Sequence, residues 1–211
     1  MKKKELYRLN KLIVWVFMAV LVFSSCYKTD PDMISDDLVW SPDISMPLGD
    51  VQASLSQREA DAIPPNTHVS KVLYDTLKFS ISDIVISGRD QIDSVMIRLN
   101  MVNEFPAQAR IFVFYPESGQ PLDYDRSLTG DEPILIAPGK IDDSGKSTIP
   151  SKKQTDIWLT SKQIDDLYTS HILVIRTDII DMIITQPVKD NLTEYKFTTQ
   201  IGLQAKISIA S

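Results

Sequence analysis

Apolar and polar residues alternate with a period of two along much of this chain. Val95, Ile97, Leu99 and Met101 share one face, and Met96, Arg98, Asn100 and Val102 share the other. This is the pattern of a half-buried strand. Asn103-Glu104-Phe105-Pro106 breaks the run and residues 110–115 restart it, so the short connection predicts an antiparallel hairpin. The longest alternation closes the chain. Tyr195, Phe197, Ile201, Leu203, Ala205, Ile207 and Ile209 lie opposite Lys196, Thr198, Gln200, Gln204, Lys206 and Ser208. A slip of one residue would turn that whole apolar face outward, which makes the register firm. Shorter strands are predicted at 69–74, 76–81, 84–86, 133–136, 156–159 and 171–177. Turns are predicted at 87–90 and 116–119, and a polar loop over 139–153. Pro42 and Pro47 lack amide donors, so residues 38–49 suit an edge or entry strand better than a central one.

Helical spacing is rarer. Ser56-Gln57-Arg58-Glu59 is a capping box opening a short helix that Pro64-Pro65 ends. Thr160-Ser161-Lys162-Gln163 is a second, followed by Ile164, Leu167 and Tyr168 at helical spacing, which predicts a helix over 161–169. Many short strands, one or two short helices and no strand–helix–strand rhythm predict an all-β fold. The expectation is an antiparallel β-sandwich, immunoglobulin-like or jelly-roll-like, over residues 38–211.

The N-terminus departs from this pattern. Lys2, Lys3, Lys4, Arg8 and Lys11 form a basic head, and residues 12–23 carry no charge. An apolar run this short suits a secretory signal rather than a permanent span, which needs about 20 apolar residues. It ends in Phe23-Ser24-Ser25-Cys26, two small residues before the only cysteine, and resembles a bacterial lipoprotein processing site. The resemblance implies a signal peptide at 1–25, removed to leave Cys26 as a lipid-bearing first residue. Residues 26–37, polar and acidic, then form a flexible tether. Stable anchoring takes more than one acyl chain, which a diacylglyceryl thioether and an acylated amine on Cys26 would supply.

Removing 25 of 211 residues leaves 186, enough for one domain with a sizeable core. The segment removed holds five of the 22 basic residues and one of the 28 acidic ones, so 17 basic and 27 acidic remain, a net of −10. That surface argues against nucleic acid and against adhesion to anionic headgroups. No second thiol exists for a disulfide, and seven glycines without a Gly-x-Gly exclude phosphate-cradling loops.

Trp40-Ser41-Pro42 with Met46-Pro47-Leu48, the Asn103 to Pro106 break, the Leu-Thr-x-x-Gln helix start at 159–163 and the long last strand together resemble cell-envelope lipoproteins of Bacteroidota of unknown function. The resemblance implies a β-sandwich body and an outer-membrane location, facing outward or toward the periplasm. Lys28, Asp30 and Asp32 are a diluted form of the acidic export signal that such proteins carry after the cysteine. It carries over no active site. Asp75-Thr76-Leu77 and Asp93-Ser94-Val95 resemble the short O-glycosylation sites of these bacteria, with Thr76 and Ser94 as acceptors.

Catalytic chemistry is hard to assemble. His68 lies in a polar loop and His171 opens an apolar strand, where a structural role is the ordinary one. No nucleophile elbow occurs, and two distant histidines with no free thiol do not make a zinc site. Asp123, Asp125, Asp131 and Glu132 cluster, but an EF-hand loop started at Asp123 places Leu128 where its glycine belongs. No enzyme activity, cofactor or metal is therefore expected. Glycan binding would need exposed aromatics, for which Trp40, Trp158, Tyr124 and Tyr168 are the candidates, although the burial habit of large aromatics places both tryptophans in the core. The expected function is that of a lipid-anchored binding module for a partner protein or surface glycan. The alternative is a structural or adhesive subunit that assembles through its edge strands.

Overall fold

From Asp43 onward the stretch containing Pro47 forms an edge strand, which suits a residue with no amide donor. The computed structural model describes residues 43–79, 89–117 and 126–208. Cys26 and the segments at 1–25 and 26–37, Trp40, Tyr124, Asp123, Asp125 and the strand expected at 84–86 lie outside them. In chain order the elements are β1 (Asp43–Ala53), α1 (Gln57–Ala62), β2 (Thr67–Lys78), a 3-10 turn (Arg89–Gln91), β3 (Ile92–Asn103), β4 (Gln108–Phe114), β5 (Ile134–Ile136), β6 (Lys140–Ile141), β7 (Ser147–Ile149), β8 (Ser151–Trp158), α2 (Ser161–Thr169), β9 (Ile172–Ile184), α3 (Gln186–Asp190) and β10 (Phe197–Ile207).

The strands form two four-stranded sheets, ordered β1-β10-β3-β8 and β2-β9-β4-β5, with β6 and β7 as a separate small hairpin. Every pairing in the two large sheets is antiparallel. The chain passes repeatedly from one sheet to the other, so that neighbours in space are far apart in sequence. This is the jelly-roll form of the double-sheet sandwich, and it decides between the two forms expected from the sequence.

The alternating strands supply the core. Val95, Ile97, Leu99 and Met101 of β3 and Ile201, Leu203, Ala205 and Ile207 of β10 are buried between the sheets, against Ala109, Ile111 and Val113 of β4 and Leu173, Ile175 and Ile179 of β9. Burying a side chain of this size contributes about 1.5–3 kcal/mol. Both capping boxes form: Ser56 accepts from the amide of Glu59, Thr160 accepts from that of Gln163, and each N3 side chain returns to its cap backbone. Ile164 and Leu167 carry α2 into the same core.

Several local expectations are corrected. The segments expected at 69–74 and 76–81 are, as far as Lys78, one continuous strand, β2, and Asp75 is no break: its carboxylate accepts from the amide of Gln52 at 2.8 Å; residues 80 and 81 lie outside the described residues. The polar loop at 139–153 contains the β6–β7 hairpin and the start of β8. Its turn is pinned from outside: the Tyr195 hydroxyl donates to the Gly145 carbonyl, and Asn191 Nδ2 donates to Ser144 O at 2.9 Å. Gly145 has φ +81°, and a Cβ there would lie 2.2 Å from Pro187 O, so only glycine fits. A further helix, α3, follows Thr185, whose side chain accepts from Val188 N. Tyr195 precedes the last strand rather than joining it, but is buried beside Phe105 with ring centroids 5.8 Å apart.

The largest correction concerns β3 and β4, which do not form a hairpin. They lie in different sheets, and residues 104–107 cross between them. Asn103 makes the crossing possible. It is fully buried, its Nδ2 donates to Ala107 O and Ala137 O at 2.9 Å each, and its Oδ1 accepts from Phe105 N at 3.0 Å. Backbone groups that a hairpin ladder would have satisfied are satisfied by this one amide, and Phe105 drops into the core with no exposed surface.

Candidate functional site

The same alternation that fills the core sets out the outer face of the β1-β10-β3-β8 sheet. Strand register arranges its side chains in rows across the sheet. Trp158, Met96, Gln204 and Ser45 form one row; Asp156, Arg98, Gly202 and Pro47 the next; Gln154, Asn100, Gln200 and Asp50 the third. Lys152, Val102, Thr198 and Gln52 complete the face. Gly202 is the one position of β10 on this face without a side chain. The surface sinks around it into a hollow of about 530 Å³, lined by Met96, Arg98, Asn100, Gln200 and Gln204 among others. A second hollow of about 440 Å³ shares Asn100 and Gln200 and continues to Lys152 and Gln154.

Trp158 stands opposite Met96, which lines the first hollow, without lining that hollow itself. It is 66% exposed, against the expectation that it belongs to the core. The reason is positional. Ile157 and Leu159 both turn inward against the core, so the residue between them must turn outward. The Leu159 amide still donates to Val95 O at 3.0 Å, and the chain then turns into α2 at its cap, Thr160. The backbone at Trp158 is thus held by strand pairing on one side and by a helix start on the other.

The electrostatics of the face are nearly balanced. Arg98 Nε donates to Asp156 Oδ1 at 2.7 Å and Nη2 to Oδ2 at 2.6 Å, the two-pronged geometry that suits a guanidinium and a carboxylate. Hydrogen bonding to Asp156 raises the Arg98 pKa, and the same pair lowers that of Asp156. What remains free to meet a ligand is chiefly amide: Asn100, Gln154, Gln200 and Gln204 each offer both donors and an acceptor. The arrangement can stack a flat apolar surface on the indole and hydrogen-bond neutral polar groups beside it.

The other candidates are dispersed. Tyr168 is half-buried and packs against the core, which disqualifies it as a stacking platform. Thr76 is exposed on β2, whereas Ser94 is half-buried on β3 opposite Lys206. His68 is exposed on β2, with Nδ1 2.8 Å from Asp181 Oδ1. His171 is exposed, and its carbonyl accepts from Phe79 N at 3.0 Å. The register of β2 and β9 puts the two histidines at opposite ends of that ladder. Asp131 and Glu132 are exposed. Among the described residues no group of three or more histidine, cysteine, aspartate or glutamate residues could hold a metal ion, and no helix is long and apolar enough to cross a membrane. The outer face of the second sheet carries its own cluster, in which the Arg176 guanidinium lies 5.3 Å from the Phe112 ring centroid and is ion-paired with Asp178 at 2.7 Å.

The alternation in sequence puts Met96, Arg98, Asn100, Gln200 and Gln204 on outward faces and does not join them into a site. The signal that could have joined them was the glycine at 202, which interrupts the polar face of the last strand.

No protein-family model matches the chain, and no curated protein matches it in sequence. Among solved structures it is similar to a protein of Parabacteroides distasonis ATCC 8503, provisionally described as secreted, at 14% identity and a TM-score of 0.42. That match covers 67% of this chain and 39% of the other, so the chain spans well under half of that protein. It is also similar to a chain of Mud crab tombus-like virus, at 12% identity and a TM-score of 0.38 over 82% of each chain. A third similarity, to Desmodium yellow mottle tymovirus, has 10% identity and a TM-score of 0.27, covering 82% of this chain and 91% of that one. The strand order itself defines the jelly roll.

Proposed function

We propose that this chain is a lipid-anchored protein of the bacterial cell envelope, a non-enzymatic module that binds a surface glycan on the outer face of the β1-β10-β3-β8 sheet. The observation that carries the reading is Trp158: a large indole, two-thirds exposed, paired across the strands with Met96 at the border of a hollow lined with amides. An aromatic ring offers a flat apolar platform with a defined geometry, and the C–H face of a pyranose is its natural complement. Asn100, Gln200 and Gln204 can then donate to and accept from ring hydroxyls. The anchor part of the reading rests on the sequence at 1–26. Titrating the purified protein against a glycan array tests the binding part. Saturable binding that Trp158→Ala abolishes supports it, and binding that survives this substitution contradicts it.

A subunit that assembles through edge strands is the second reading, favoured by the 12-residue β2, which among the described residues pairs only with β9. The edges nevertheless carry features that blunt pairing. β1 contains Pro47 and a bulge, β2 carries Lys71 and Lys78 and faces a bulge of β9 opposite Ser70, and β8 has Lys152 and Lys153. Sedimentation over a hundredfold concentration range separates the two: a species of constant mass supports the binding module, and growing assemblies support the subunit.

A further inference from the structure

We infer that the occupant of this face is the interior of an extended, uncharged glycan chain, rather than a single sugar, a chain end or an acidic polysaccharide. The inference rests on the glycan reading above and specifies the class of ligand.

Continuity comes first. The two hollows share Asn100 and Gln200, so they adjoin, and we treat them as one trough whose lining reaches from Ser45 on β1 to Lys152 on β8. These are the two edge strands of the sheet, and among the described residues no further strand stands beyond either. A polymer lying in the trough can leave over both edges. A site for a chain end would instead be closed on one side.

Length follows from register. Ser45 and Lys152 are three strand spacings apart and three two-residue rows apart. At ~4.8 Å between strands and ~3.3 Å per residue this is about 25 Å, a span that about five linked pyranose rings would fill.

Charge sets the last limit. The one cation in the middle of the trough, Arg98, is held by both oxygens of Asp156. A uronate or phosphate placed there would meet that carboxylate as well as the guanidinium, and would displace a well-formed pair to gain one. The remaining charges sit toward opposite ends, Asp50 on β1 and Lys152 and Lys153 on β8, where the Lys153 ammonium donates to Leu135 O at 2.9 Å. Between them Asn100, Gln200 and Gln204 are neutral groups that donate and accept, as hydroxyls do.

Calorimetric titration of the intact protein tests this. The probes are neutral gluco-, manno-, xylo- and galacto-oligosaccharides of one to seven units and oligogalacturonates of the same lengths. For the neutral series that binds, affinity is expected to rise at least about tenfold from two units to five and then level off. It should change less than about twofold between low and high salt, since screening acts on charge. Gly202→Val, which raises the floor of the trough midway, should reduce the five-unit affinity to about that of two units while the thermal midpoint is kept. Equal affinity for one unit and five, or tighter binding of oligogalacturonates that salt weakens, overturns the inference and leaves the glycan reading standing. No binding of any probe overturns both.

Discussion

Asn103 and Trp158 show how one residue type in one place decides more than its neighbours do. Asn103 was legible as an interruption of the β3 alternation, and nothing more, because its three partners lie in the crossing segment and at Ala137, 34 residues away. Replacing it with alanine leaves two carbonyls and an amide without their partner at a largely buried site. The expected loss is about 2–4 kcal/mol, measured by denaturant unfolding; a loss within ~0.5 kcal/mol would show that the crossing does not depend on this amide. For Trp158 the alternation with Ile157 and Leu159 was readable, and it required one of the three to face outward. The general tendency of tryptophan to be buried pointed the other way. The tendency lost because it is an average over side chains, whereas strand pleating is a constraint on this particular one.

At the scale of elements, the capping boxes were legible because each is a local contract among four consecutive residues. The helix α3 was not, since it is five residues long and its N3 position is Val188, which cannot complete a box. In α1 the box also has a pH signature. Glu59 is lowered to about 2, first by its hydrogen bond with Lys71 and then by those with Ser56. A carboxyl depressed in the folded state contributes stability that is fully present above its unfolded value, about 4.5, and is lost as pH falls toward 2. The contribution is small because the pair is partly solvated and screened. Glu59→Gln should therefore flatten the fall of the melting temperature between pH 4.5 and 2, and an unchanged slope would contradict this. In β10 the informative position is Gly202. A Cβ there meets only Met46 O, at 3.6 Å, and β-branched residues favour strands. Gly202→Val should keep or slightly raise stability, by up to about 1 kcal/mol, as read by thermal unfolding. A loss above that size would mean that the floor of the trough is packed more tightly than its contacts indicate.

For the whole molecule, the sandwich was legible and its strand order was not. Faces are local, and any eight residues of alternation reveal them. Order depends on pairings such as β1 with β10, whose residues are more than 140 positions apart, and no short-range pattern records those. The same limit hid the trough: Arg98, Asn100, Gln200 and Gln204 were each assigned to an outward face, but only the β3–β10 register makes them neighbours. The proposed lipid anchor belongs to this scale too, since it would fix where the body works. Cys26→Ser should move the protein from the membrane fraction to the soluble one, and persistence in the membrane fraction would remove lipidation from the account. The most direct measurement is glycan binding by the unaltered protein beside Trp158→Ala, with the thermal midpoint of both recorded. The account predicts saturable binding that the substitution abolishes while the midpoint moves little, because so exposed a ring contributes little to folding. Binding of equal strength in both proteins, with equal midpoints, would contradict it.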